Sequence, residues 1–214
     1  MSSHLLRPSR VLRILRSGGV AKCVKINLAD ACVTEIAAQA GFDCVWHDLE
    51  HVPNSMRDIE HATLAAKAHD CDMLVRVAKG SYSDMVRPLE VDAAGIMVPH
   101  VMSANEAKQI AHQTRFHPIG RRALDGGNAD GAYATVPTAP YIDHANAERF
   151  VIVQIEDPEA MDELDGIAAT PGIDMLFFGP GDYSQGLGVP GKLNDPRVDE
   201  ARRAIAQAAQ RHGK

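Results

Sequence analysis

FVIVQIEDPEAMDELDGIAATPGIDMLFFGPGDYSQGL, residues 150–187, contains two apolar runs that each break off into polar residues. The run at 151–155 stops at Glu156; the run at 175–178 stops at Gly179, Pro180, Gly181 and Asp182. Between them Asp157 and Pro158 make a favourable N-cap and N1 pair for a helix. Strand, helix and strand in that order form a βαβ unit, whose parallel strands aim their carboxyl ends at one face. Glu156 and Asp182 therefore converge. Two carboxylates so placed suit a hard divalent cation such as Mg2+ or Mn2+. They suit equally well as caps of the helices that follow.

Working outward, the same alternation recurs along the chain. Strands are expected at 22–26, 44–49, 73–77, 96–101 and 121–124, ahead of the two already described. Helices are expected before Gly18 and Gly19, at 34–40 closed by Gly41, and from a cap at Asn54 to about residue 68. Further helices are expected at 83–91 despite Pro88, from a capping box Ser103…Glu106 to about residue 115, at 141–147, and from Asp195-Pro196 to Gly213. The glycine-rich stretch 126–134 reads as a functional loop. The strand runs are continuously apolar, as in a parallel sheet covered on both faces.

The chain has 214 residues, 45% of them hydrophobic and 23% charged, within the range of one ordinary globular domain. A net charge of −6, with no basic cluster interleaved with aromatics, excludes a nucleic-acid surface. No apolar run approaches the roughly 20 residues that span a bilayer. The basic N-terminus lacks the apolar core of a signal peptide and reads as a short amphipathic helix. Four cysteines without a CxxC pair read as buried, reduced thiols of a cytoplasmic protein.

Seven βα repeats point to a TIM (β/α)8 barrel in one domain spanning 1–214, with catalytic groups on the strand carboxyl ends. A doubly wound sheet is disfavoured, because polar residues follow nearly every strand instead of gathering at one switch point. The eighth βα unit is missing before Lys214. The natural chain is therefore expected to continue for roughly 35–45 residues, about one such unit and a tail.

The segments GFDCVWHDLEH (41–51), LVR (74–76), MVPHV (97–101), VQIE (153–156) and FFGPGDYSQGLG (177–188) together resemble the HpcH/HpaI aldolase family. The resemblance runs from about residue 22 to residue 213. It departs at Gly120-Arg121-Arg122-Ala123, where the family usually carries GxRG, at Glu90, where an aspartate is common, and in the missing last strand and helix. It implies a metal-dependent class II aldolase that uses Mg2+, Mn2+ or Co2+ and acts on pyruvate and an aldehyde. It also implies a homo-oligomer, a hexamer built from dimers.

The resemblance makes Glu156 and Asp182 the metal ligands. Arg76, at a strand end, is placed to hold the oxygen that gains charge in an enolate, or else to form a structural ion pair. His51 is the general-base candidate, and only the motif separates it from His47 and His61. Glu90 is expected to hydrogen-bond the His51 imidazole or to be a solvated helix carboxylate. Asp48 and Glu50 are expected to orient His51 or a metal-bound water, or else to act as caps. Gly179, Pro180 and Gly181 leave amides open for a substrate carboxylate, or serve a tight turn. Arg122 meets the aldehyde's distal group or lies in a buried ion pair. The alternatives to a pyruvate aldolase are a citramalyl- or malyl-CoA lyase and a non-catalytic metabolite-binding barrel. The acidic balance gives no basic groove for CoA phosphates.

Overall fold

The structure, a computed structural model, describes residues 6–28 and 30–214. Six strands form one parallel sheet: β1 Cys23–Lys25, β2 Cys44–Asp48, β3 Asp72–Arg76, β4 Gly95–Val98, β5 Phe150–Ile155 and β6 Met175–Phe178. They lie in chain order, from Cys23 beside Cys44 to Ile155 beside Phe178. A doubly wound sheet would reverse its strand order at a switch point. This one never does, and the architecture is a parallel α/β half-barrel.

Strand residues sort by period two. Val45, Val75, Ile96, Val98, Val151, Val153 and Ile155 face the helices and build the main core. Cys44, Leu74, Met97, Phe150 and Ile152 face the other way, joined by the half-buried Trp46, Met175 and Phe177. These line a cavity of about 430 Å3. Helix α1 (Arg10–Arg16) packs Val11 and Leu12 into the same cluster.

Local chemistry sets most helix starts. The Asp30 side chain accepts the Cys32 amide at 2.8 Å and opens α2, Ala31–Gln39. Helix α3, Met56–Lys67, is capped by a Ser55–Asp58 box and not by Asn54, whose Nδ2 donates instead to the Asp48 carbonyl at 3.0 Å. Helix α4, Tyr82–Glu90, accommodates a buried Pro88. At α5, Ala104–Thr114, half of the expected capping box forms: Ser103 Oγ accepts the Glu106 amide at 3.1 Å, while the Glu106 carboxylate takes the Met102 amide. Helices α6 (Thr138–Glu148), α7 (Leu164–Ala169), α8 (Pro180–Gly186) and α9 (Pro196–Arg211) complete the chain.

Two expectations are corrected. The strand at 121–124 does not form, because β4 pairs directly with β5, Gly95 beside Phe150 through Val98 beside Val153. Arg121 and Arg122 donate their amides instead to the carbonyls of His112 and Arg115, at 2.6 and 2.9 Å, closing the end of α5. Of the cysteines, Cys44 and Cys71 are buried but Cys23 and Cys32 are exposed. The first five residues of the basic N-terminus lie outside the described residues. Among the described residues no helix is long and apolar enough to cross a membrane.

Gly120 makes the reversal after α5. A Cβ there would strike the Arg115 carbonyl oxygen and lie 2.6 and 2.8 Å from those of Ala111 and His112. Gly120→Ala should therefore destabilise the fold by about 1–3 kcal/mol, the usual size of an overpacking penalty. The check is a lower denaturant midpoint at unchanged slope; an unmoved midpoint would show that the end of α5 yields freely.

Candidate active site

On β2, β3 and β5 the inward-facing stripe changes from apolar to polar toward the strand's carboxyl end. Asp48 follows Cys44 and Trp46, Arg76 follows Leu74, and Gln154 and Glu156 follow Phe150 and Ile152. The cavity therefore has an apolar floor and a charged rim.

Asp48 is fully buried and organises one half of the rim. Its Oδ1 accepts Arg76 Nε at 3.0 Å, and its Oδ2 accepts Arg76 Nη2. Lys25 Nζ lies 2.7 Å from Oδ2. Oδ1 also takes the amides of Glu50, at 2.9 Å, and His51, at 3.4 Å. Burial opposes ionisation of Asp48, yet Arg76, Lys25 and the Glu50 amide hold the carboxyl far below the usual carboxylate range. Asp48 is thus a cap and a counter-ion at once. Arg76 Nη1 stands 3.0 Å from Glu50 Oε2, and its guanidinium lies 5.3 Å from the Trp46 ring centroid. The ion pair foreseen as the other role of Arg76 is present, and it fixes the guanidinium at the rim.

Glu156 organises the other half. Its Oε1 accepts the His100 amide at 2.9 Å, and its Oε2 accepts Gln154 Nε2. Gly179 presses against it, since a Cβ at that position would lie 2.6 Å from Oε2. Burial pushes the Glu156 carboxyl above its ordinary value, with the His100 amide and ring opposing. His100 adopts φ +54°, in the left-handed region. Its Nδ1 is 3.0 Å from Asp157 Oδ2, and its Nε2 is 3.6 Å from Glu50 Oε1. Asp157 therefore spends its side chain on His100 and makes no cap bond to the 3-10 turn Pro158–Glu163.

One donor atom each from Glu50, His100 and Glu156 lies within 4.8 Å of the other two. Glu50 Oε2 is buried and, although near Arg76, is out of hydrogen-bond alignment. Oxygen-rich donors around an unsatisfied carboxylate fit a divalent cation.

The remaining expected residues are scattered. Asp182 is exposed in the first turn of α8, outside this group, behind Pro180 and an open-sided Gly181. The His51 side chain is 59% exposed, with Nε2 3.6 Å from Glu50 Oε2. Glu90 is half-buried at the end of α4 and makes no hydrogen bond to His51 among the described residues. Burial raises its carboxyl, against the pull of Arg122. Arg122 is in the buried ion pair, 2.7 Å from Asp130, and stacks on Phe116. Arg121 is exposed. His47 is buried on the helix side and bonded to Thr34 Oγ1 at 2.8 Å, and His61 is exposed on α3; both lie outside the rim. Sequence reasoning did not single out Lys25, His100 or Gln154. Continuing the inward period of β5 back from Glu156 would have found Gln154.

Residues 24–214 match the family described as HpcH/HpaI aldolase/citrate lyase. The chain is 33% identical over 187 residues to a 5-keto-4-deoxy-D-glucarate aldolase of Klebsiella pneumoniae, covering 87% of this chain and 72% of that protein. It is also 33% identical over 193 residues to a hydroxypyruvate/pyruvate aldolase of Pseudomonas aeruginosa, covering 90% and 72%. The crystal structure of an HpcH/HpaI aldolase from Desulfitobacterium hafniense superposes with a TM-score of 0.89 at 30% identity, covering 95% of this chain and 78% of that one.

The Asp48 clamp has a pH signature. Its folded value lies below its unfolded one, so its stabilisation is complete above about pH 4 and drains away as the pH falls further. Asp48→Asn should be about 3–5 kcal/mol less stable near neutrality, the usual cost of stranding one partner of a buried pair. It should also lose less stability than the wild type between about pH 6 and pH 3. Urea unfolding at the two pH values checks this, and equal acid losses in both proteins would count against the clamp.

Proposed function

The chain belongs to the HpcH/HpaI aldolase/citrate lyase family, and we propose that it is a carbon–carbon lyase that reversibly cleaves a 4-hydroxy-2-oxo acid to pyruvate and an aldehyde. The observation that carries this reading is the rim itself. A clamped guanidinium stands beside a cluster of metal-type donors above an apolar floor. The six-stranded arc is read as part of a (β/α)8 barrel forming one domain, in which catalytic groups belong at the strand carboxyl ends.

In this reading Glu156, together with Asp182 from the first turn of α8, would hold a divalent cation, Mg2+, Mn2+ or Co2+, which would supply Lewis acidity to the 2-oxo group of the substrate. The chain's own groups do the rest. His51 takes a proton from the pyruvate methyl group. Arg76, held still by Asp48, stabilises the oxygen on which charge then collects. The methylene carbon attacks the aldehyde carbon, and the alkoxide so formed takes up a proton. Cleavage runs the same steps backward. The Gly181 amide, behind Pro180 in the first turn of α8, faces the substrate carboxylate, whereas the Gly179 amide is given to the Ile155 carbonyl at 3.0 Å and is not open to it. Glu90, unbonded to His51, has no step.

Exchange of pyruvate methyl protons with solvent deuterium isolates proton removal from the aldol step. His51→Ala should slow this exchange by about 10²–10⁴-fold, the usual size of a general-base contribution, with metal affinity intact. Undiminished exchange would exclude His51 as the base. Glu156→Gln should lose divalent-ion binding, exchange and pyruvate release from a 4-hydroxy-2-oxo acid, yet stay folded. An unchanged metal titration in that variant would remove Glu156 from the ligand set.

A further inference from the structure

Two thiols stand side by side on the inner face of the sheet. Cys23 on β1 is paired in register with Cys44 on β2, and both line the cavity beneath the rim. Neighbouring strands lie about 4.7–4.9 Å apart, so the Cα separation of such a pair falls inside the roughly 4.4–6.8 Å that a disulfide spans. Strand β1 is three residues long and ends the sheet, with β2 its one neighbour among the described residues. It is therefore free to shift toward β2 as a bond closes.

Their surroundings set the four cysteines apart. Cys23 is exposed, and the neighbouring Cys44 thiol holds it below the usual thiol range. Cys44 is buried, and the Cys23 sulfur together with burial pushes it up. Cys32 is exposed too, but it stands beside Asp30, which raises it. Burial pushes Cys71 up to about 11. One thiol is thus both reachable and inclined to ionise, and it has a protonated partner beside it. An accessible nucleophilic thiol backed by a second that can resolve it is the arrangement oxidants single out.

We propose that Cys23 and Cys44 form a reversible oxidation site, at which hydrogen peroxide converts the two thiols into a disulfide. The Cys23 thiolate attacks one peroxide oxygen; the O–O bond breaks, and the departing oxygen takes up a proton and leaves as water. Cys23 is then a sulfenic acid. The Cys44 sulfur attacks the Cys23 sulfur, the S–O bond breaks, and the Cys44 proton leaves with the hydroxyl as a second water. Two thiols and one peroxide give one disulfide and two waters, and both electrons pass to the peroxide. No group of the rim takes part, so the site stands whether or not the aldolase reading does. Strand spacing holds the two Cβ atoms wider than the about 3.8 Å of a relaxed disulfide, which makes the bond one that thiols readily reduce.

The test treats the reduced protein with hydrogen peroxide, unfolds it, and counts free thiols by the mass added on alkylation with N-ethylmaleimide. The untreated wild type should take up one adduct on each of its four cysteines. After peroxide it should take up two fewer, and dithiothreitol should restore them. Fragmentation of the cross-linked peptides should place the bond between Cys23 and Cys44. Cys32→Ser should still form it. Cys23→Ser, a change at an exposed position, should keep all its remaining thiols. Cys44→Ala should form no disulfide and should leave Cys23 as a sulfenic acid that dimedone captures. A wild type that keeps every thiol while glutathione in the same solution is oxidised overturns the proposal. So does a disulfide that survives Cys23→Ser, or one that joins two chains through Cys32. The wild-type and Cys23→Ser results decide the matter even if Cys44→Ala does not fold.

Discussion

A single buried carboxylate, Asp48, underlies the order at the mouth of this half-barrel. It accepts two hydrogen bonds from Arg76, the ammonium of Lys25 and the amides of Glu50 and His51. A guanidinium is costly to place in a protein interior unless its charge is met and its donors are satisfied. Asp48 meets both demands and in doing so fixes where Arg76 points. The same atoms hold the turn that carries Glu50 and His51. In this half of the rim, position and electrostatics have one origin.

The second half of the rim depends on backbone approach more than on charge. Glu156 lies almost wholly buried at the end of β5, and it keeps its place because Gly179 has no side chain to displace it. The left-handed turn at His100 delivers an amide to the same carboxylate. Beneath both halves, Trp46, Leu74, Met97 and Phe177 form an apolar floor. Charges above such a floor are poorly screened, so a small ligand there feels each of them more strongly than in water.

Much of the fold was legible in the residues. The runs at 151–155 and 175–178 became β5 and β6, and Asp195 caps α9 as expected. The stretch 121–124 misled because its local pattern resembles a short strand, whereas strand formation needs a vacant neighbour. With β4 bonded directly to β5 there is none, and the α5 carbonyls take the amides instead. Asn54 likewise has good cap chemistry, but the backbone turns one residue later, at Ser55. Local propensity ranks candidates; competition for the same backbone groups selects among them.

The sequence by itself determined the parallel βα alternation and the enrichment of charge at the strand carboxyl ends. Both follow from periodicity and from the polar residues that terminate each apolar run, and these are properties of the chain read locally. It also marked Asp48, Arg76 and Glu156 as candidates, because each sits where a strand ends. Only the tertiary structure decided which of these side chains meet. His100, Asp157 and Glu50 come from three different strand ends, and their meeting depends on the curvature that brings β2, β4 and β5 to one mouth. Asp182 is left exposed on α8, while the alternation of β2 turns His47 to the helices and His51, past the strand end, lies exposed beside Glu50. A two-residue period assigns a face; the three-dimensional path of the sheet assigns the neighbours.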